Sequence, residues 1–449
     1  MDGRIIKAQQ RPSGAVTTKF SRYNCRLIFV HMQRISMSCW RYRWLFEHVG
    51  GIMKFALGNL FAKPSRRSLE PASPSITSYI EAGASTAEIS VVDNGIVAPV
   101  SRYVKPGINA DGSPCKGEFD GGLYDRQGKR LNIGDNAYLG HVNTAAQTVA
   151  TEGLKRLPGQ YLYLGMVQNV HFGHFTSESL SRIWGADLVK DVDGVIYIPR
   201  YPNQPLRPYV TTFLEALLPD ANFVRPEGIS QYERIIVPAA LRFAPGYMKG
   251  GSMVRSFFHQ RTQTPALTDK ATPKRLFVSR SQFRLNAAQN KACFVCETKI
   301  DELMQAEGYT VFYPEQHSPE EQFRHYNNAD ELVFAEGSSF HVYVLTARPG
   351  QKVYCLWRRK TMHPVFENQL KSFSGERLRG ATQVKKMYYR RDAPTVIPWA
   401  LSELDFDGLR DDLIREGMIS GTAWASPEPK EIEAELAHHR NVYDLEHPF

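Results

Sequence analysis

The chain has 449 residues, 42% hydrophobic and 22% charged, a globular composition with room for two or three domains. Its net charge of +9 is uneven: of 55 basic and 46 acidic side chains, residues 1–67 hold 13 and 2, leaving 42 and 44 for the rest. A near-neutral body excludes a general nucleic-acid-binding surface. No apolar run approaches the roughly 18 residues of a membrane span, and six scattered cysteines exclude a disulfide framework and fit a reducing cytoplasm.

Residues 1–67 read as a basic, disordered leader. LIFV at 27–30 is too short for a secretory apolar core and is followed by His31 and Gln33. Met53 opens MKFALGNLFAKPSRRS, a candidate start of translation. Met53, Leu57, Leu60 and Phe61 share one side of a short helix flanked by Lys54, Lys63, Arg66 and Arg67. Residues 53–67 therefore suit either peripheral contact with an anionic bilayer or a plain basic leader.

From 88 to about 138 the text is strand-like and punctuated by Asn94-Gly95, Asp111-Gly112 and Gly128, which predicts a small antiparallel region with hairpins. A first α/β section follows: strands at 161–167, 194–200 and 234–239, with helices at 177–190 and 209–218. Residues 68–263 thus form an N-terminal β plus Rossmann-like domain. TPALTDKATPK at 264–274 reads as a linker. In 275–390, strand-like runs at 275–280, 311–315, 331–339 and 352–357 alternate with helical runs at 298–309, 320–329 and 339–350. This is the pattern of βαβ units on a buried parallel sheet, here a nucleotide-binding domain. A helix at 401–418 and a polar tail fill 391–449. The expected fold class is α/β, with two Rossmann-like domains facing a cleft and a small β region on the N-terminal side.

Ligands of such sheets lie beyond the carboxyl ends of the strands. Three segments there carry chemistry. QNVHFGHFTSESLSRIW, at 168–184, crowds His171, His174 and Glu178 into a strand-to-helix loop. Four residues separate His174 from Glu178, so both point one way on a helix. Either could take a proton from an attacking hydroxyl, or Glu178 could cap the helix while His174 bonds backbone. Arg280 and Arg284 follow a strand end, and an arginine's fork of donors matches phosphate oxygens; a solvated basic loop is the plainer reading. At Glu336-Gly337-Ser338-Ser339-Phe340-His341 a strand meets a helix. Gly337 permits close approach, the first N–H groups face an anion, and Glu336 could accept bonds from ribose hydroxyls. A simple cap by Ser338 or Ser339 fits as well. Cys293-x-x-Cys296 has half the spacing of a zinc site but no matching second pair. Asp191-Val-Asp193 and Asp405-Phe-Asp407 have the letters of a D-x-D metal motif, but the first suits a turn and the second a C-terminal helix.

HFGHFTSESLSRIW, RLFVSR with Arg284, Cys296-Glu297, Gly308-Tyr309, Pro314-Glu315, Gln322 and EGSSFH ending in Arg-Pro-Gly together resemble glycosyltransferase family 61 over about 161–357. That family includes bacterial capsular-polysaccharide proteins and eukaryotic xylosyl- and N-acetylglucosaminyltransferases. The resemblance implies a two-Rossmann (GT-B) fold and an inverting, metal-independent hexosyl- or pentosyltransferase with no cofactor. A nucleotide-sugar donor would sit on Arg280, Arg284, Glu336, Gly337, Ser338, Ser339 and His341, with His174 or Glu178 as base. The acceptor would be a glycan or lipid-linked glycan, in surface or capsular polysaccharide synthesis in a bacterial cytoplasm, at or near the inner membrane. Cys296 departs from an Asn common before the Glu, and Glu336-Gly-Ser-Ser from the His-Gly-Ala of many eukaryotic members. A non-catalytic polysaccharide-binding or assembly protein on the same fold, or a sugar-nucleotide epimerase, remains the alternative.

Overall fold

Strands buried on both faces build the centre of this protein, and their residues alternate between two apolar layers. The computed structural model describes residues 75–80, 86–108, 114–135, 141–189, 191–243, 246–263, 272–282, 292–390, 400–442 and 445–446. All of them lie in one compact unit, Ala72–Phe449. The expected basic leader, the 53–67 helix, Asp111-Gly112, most of the linker and Arg284 fall outside the described residues.

The first sheet contains β1 (Ser75–Ile80), β2 (Thr86–Ala98), β3 (Gly122–Tyr124), β4 (Lys155–Val167), β5 (Gly194–Pro199), β6 (Phe223–Val224) and β7 (Ser230–Pro238). Its order is β1-β2-β7-β4-β5-β6, with β3 added on β2. The four strands β7-β4-β5-β6 are parallel, whereas β1, β2 and β3 join antiparallel. The second sheet contains β8 (Arg275–Val278), β9 (Thr310–Phe312), β10 (Glu331–Ala335), β11 (Lys352–Leu356) and β12 (Leu378–Arg379). Its order, β9-β8-β10-β11-β12, is parallel throughout. In chain order this is 2-1-3-4-5, a doubly wound arrangement whose switch point lies between β8 and β10. The crossover helices are α3 (Glu297–Ala306), α4 (Pro319–Asn328), α5 (Ser339–Thr346) and α6 (Pro364–Ser374); α1 (Pro208–Leu217) and α2 (Ser252–Thr262) precede them.

Period-two alternation assigns each strand residue to a layer. Leu276 and Val278, Leu332 and Phe334, and Val353 and Cys355 enter a cluster that also holds Leu162, Leu164 and Val195 of the first sheet. Phe277, Val333 and Tyr354 point to the opposite cluster, with Ile300 and Leu303 of α3. Tyr161, Tyr163 and Ile196 fill a third layer. Each large apolar side chain removed from water in this way contributes about 1.5–3 kcal/mol. The first cluster takes residues from both sheets, so their strand ends are held in one frame.

Three expectations are corrected. Asn94-Gly95 is not a hairpin turn but lies inside β2, where Asn94 has φ 53°. A Cβ on Gly95 would stand 2.8 Å from the Ile235 side chain, so packing against β7 requires the glycine. Residues 401–418 are not one helix: Leu401–Leu404 is a strand paired antiparallel to Val384–Arg390, and Asp405 caps the helix Phe406–Arg415 by accepting from the Gly408 N–H. Residues 177–190 do not form a regular helix either. Phe175–Ser179 is a π-helical turn and Ile183–Asp187 a 3-10 turn. The Ser177 and Ser181 carbonyls accept instead from the Met248 and Leu241 N–H groups at 2.6 and 3.2 Å, and the Thr176 and Ser177 hydroxyls bond back to the Gly173 carbonyl. Side-chain and loop donors thus compete with the α ladder.

Candidate active site

The carboxyl ends of β4, β8, β10 and β11 open on one cavity of about 1000 Å³. On the first wall, Asn169 is fully buried and ties the loop after β4 to the loop after β5, accepting from the Tyr201 N–H and donating to the Tyr201 and Gln204 carbonyls. This fixes the start of the short turn Phe172–His174, where the His171 ring accepts from the His174 N–H. The π turn that follows carries His174 and Glu178, and the His174 Nδ1 lies 2.6 Å from Glu178 Oε1. With the Glu178 carboxylate as acceptor, His174 donates through Nδ1 and leaves Nε2 toward the cavity. Glu178 is 3% exposed; its second oxygen lies 3.9 Å from the buried Arg200 guanidinium.

The facing wall is cationic. Glu336 is buried and accepts from the Arg358 N–H at 3.0 Å, and its carboxylate pairs with Arg359. Its backbone carbonyl accepts from Arg280 Nη1 at 3.0 Å. The Arg358 Nε lies 3.9 Å from the same carboxylate, so two guanidinium groups face Glu336 while that of Arg280 lies at its backbone carbonyl. Burial, then the neighbouring Arg280, pushes Arg358 down to about 10. A Cβ on Gly337 would stand 2.8 Å from Arg280 Cδ, so the glycine lets the arginine side chain cross the strand end. Ser338 precedes α5 and makes no side-chain cap bond, although it occupies the cap position.

His341, also on the cavity, donates through Nδ1 to Gln369 Oε1 at 2.6 Å. Burial pushes it down to about 4, so the ring is neutral and can accept at Nε2. Burial also lowers His363 and raises Glu315 and Tyr247, all of which line the same space. The loop carrying Arg280 is braced from behind: the Ser279 and Ser281 hydroxyls and the Tyr313 hydroxyl all donate to the buried Asp301.

The structure thus brings His174, Arg280, Glu336, Gly337, Ser338, Ser339 and His341 to one cavity, with Glu178 buried behind His174 and Arg284 outside the described residues. Sequence reasoning stopped at Trp357 and missed Arg358 and Arg359. Two basic residues directly after an apolar strand were the available signal. It also missed Arg200, which follows β5 in the same way. The two D-x-D sequences lie elsewhere. Asp193 accepts from the Gln160 N–H beside β4, and Asp407 accepts from Ser426. Cys293 and Cys296 are buried in an apolar cluster. Among the described residues, no group of three or more His, Cys, Asp or Glu is arranged to hold a metal, and no helix is long and apolar enough to cross a membrane.

A search of the curated proteins finds no match to this chain. The model of the family described as Glycosyltransferase 61 matches residues 172–354, from the turn that bears His174 to the middle of β11, and this match supports a glycosyltransferase.

Proposed function

We propose that this protein moves a sugar from a nucleoside-diphosphate donor to a hydroxyl of a glycan or lipid-linked glycan, with inversion and without a metal. One observation carries the reading: His174, backed by Glu178, lines the same cavity as Arg280, Arg358, Arg359 and the start of α5. In the proposed step His174 Nε2 takes the acceptor proton as the acceptor oxygen bonds to the anomeric carbon. The bond from that carbon to the diphosphate oxygen breaks, and the charge left on the diphosphate falls to Arg280, Arg358 and Arg359. Inversion rests on the family resemblance; a single displacement of this kind needs one base and one anion site.

The doubly wound second sheet and the parallel strands of the first support a GT-B reading of the fold. On this reading 275–390 holds the nucleotide sugar and 68–263 the acceptor. Placement in surface or capsular polysaccharide synthesis, in a bacterial cytoplasm and with peripheral membrane contact through 53–67, rests on the family resemblance and the charge of that segment. The test is incubation with a panel of hexose and pentose nucleotide sugars and oligosaccharide acceptors. Acceptor-dependent release of nucleoside diphosphate is expected. Donor binding with no release would favour a non-catalytic binding protein, and conversion of the donor sugar without acceptor an epimerase.

A further inference from the structure

Beneath the His174–Glu178 pair lies a third group that the transfer reading does not use. Glu178 Oε1 takes the hydrogen bond from His174, but Oε2 is buried and accepts no hydrogen bond among the described residues. The cation nearest to Oε2 is Arg200, whose Nη1 stands 3.9 Å away; both side chains are 4% exposed. Arg200 is anchored from the other side. Its Nη2 lies 2.8 Å from the His141 ring, the Tyr103 hydroxyl lies 2.7 Å from His141 Nε2, and the Arg200 guanidinium sits 5.7 Å from the Tyr103 ring centre. Tyr201 closes the group, with its hydroxyl 3.3 Å from that of Tyr103. The Arg200 N–H bonds the Val167 carbonyl at the end of β4, so the guanidinium is set by the same strands that set the catalytic turn.

The geometry points to Arg200 as a positioning residue that holds Glu178 charged beneath His174, and so keeps the His174 proton on Nδ1 and the lone pair of Nε2 toward the cavity. A carboxylate this buried is costly unless a cation faces it. The remaining polar groups around Glu178 do not replace Arg200. Arg242 donates to the Glu178 backbone carbonyl and to Ser181, not to the carboxylate. Tyr247 and His341, which sense its charge, are neutral groups, one raised and the other lowered mainly by burial. Arg200 does not line the cavity, so it acts through Glu178.

The inference rests on His174 being the base of the proposed transfer, and its test separates the two. In Arg200→Gln, turnover should fall by between about 10-fold and the 10²- to 10⁴-fold loss expected on removing a general base. The acid side of the rate–pH profile should move to higher pH, because a buried carboxylate without its cation holds a proton more readily. Arg200→Lys should restore much of the rate and return the profile. In a Glu178→Gln background, Arg200→Gln should add little, since residues that act as a unit are not additive. Histidine ring ¹⁵N shifts follow the His174 proton without turnover: protonation at Nδ1 is expected in the native protein and its loss in Arg200→Gln. If Arg200→Gln fails to fold, the native protein carries the test: its His174 ring must be protonated at Nδ1, and protonation at Nε2 alone overturns the inference. A folded Arg200→Gln with an unmoved profile and an unchanged His174 signal overturns the inference, as does a full additive loss in the Glu178→Gln background. Absence of transfer by the native protein, with the expected ¹⁵N response present, would instead reject the transferase reading alone.

Discussion

Gly173 and Ser338 meet across the cavity: a Cβ placed on Gly173 would lie 2.6 Å from the Ser338 hydroxyl oxygen and 3.3 Å from its Cβ. One residue belongs to the turn that carries His174, and the other to the start of α5 beside the arginine cluster. His174 and the arginine cluster are therefore tied together by a close contact between the Gly173 backbone and the Ser338 side chain.

Gly173→Ala should accordingly push these two loops apart. Overpacking of this kind costs about 1–3 kcal/mol, read as a lower Tm, and turnover should drop with it. Adding Ser338→Gly removes both close atoms and should recover the Tm. A Gly173→Ala protein that melts and turns over like the native one would show that the contact does not matter.

The arginines should act on donor affinity. Replacing Arg280, Arg358 or Arg359 by Ala removes charge-assisted bonds worth about 1.5–3 kcal/mol each, so the donor Kd should rise roughly 10- to 100-fold or more. Calorimetry with a nucleoside diphosphate measures this without turnover. Unchanged affinity in Arg359→Ala would remove that residue from the site.

The opposite wall should act on rate. His174→Ala should leave donor affinity almost unaltered and lower kcat by about 10² to 10⁴. Glu178→Ala tests whether the carboxylate is base or orienting partner: the true base shows the larger loss. Near-normal kcat in both variants, with an unaltered Tm, contradicts the assignment.

Stability should depend on pH through His341. Its folded value is lowered to about 4 by burial, against about 6.5 in an unfolded chain. Between those values the unfolded chain binds a proton that the native protein refuses, so stability falls as pH drops from about 6.5 toward 4. The loss from this residue is on the order of 3 kcal/mol. Denaturant titrations at several pH values should show a shallower slope in His341→Gln, with a residue left from His259, His325 and His363, which are lowered too.

Transfer should persist in EDTA if side-chain cations neutralise the leaving diphosphate. Activity lost to the chelator and restored by Mg²⁺ or Mn²⁺ would refute the metal-free step and return attention to acidic groups near the cavity.

The parallel strands and most crossover helices of the second sheet were legible because short apolar runs and amphipathic spacing are local properties. RLFV, ELVFA and KVYCL each became a buried strand. Strand ends carry ligands in such sheets, so Arg280, Gly337 and His341 could be picked from that rule alone. The π turn at Phe175–Ser179 was not legible, since its carbonyls are claimed by the loop around Leu241 and Met248, more than 60 residues away. Asn94-Gly95 misled for a related reason: the same dipeptide serves a turn or the interior of a strand, and only the pairing of β2 with β7 decides between them.

By itself the sequence determined the strand and helix order of the second sheet, the near-neutral charge of the body, and which loops hold His, Glu and Arg side chains, because these depend on neighbours along the chain. The tertiary structure decided which of those loops share a cavity, and it turned Glu336 from a free acceptor into the anchor of Arg358 and Arg359. It also set Arg200 beneath Glu178, across 22 residues of chain and two strands. These pairings depend on which strands lie side by side, β4 beside β5 and β10 beside β11, and the shared cavity on how the two sheets meet over a common apolar layer; no local spacing encodes either.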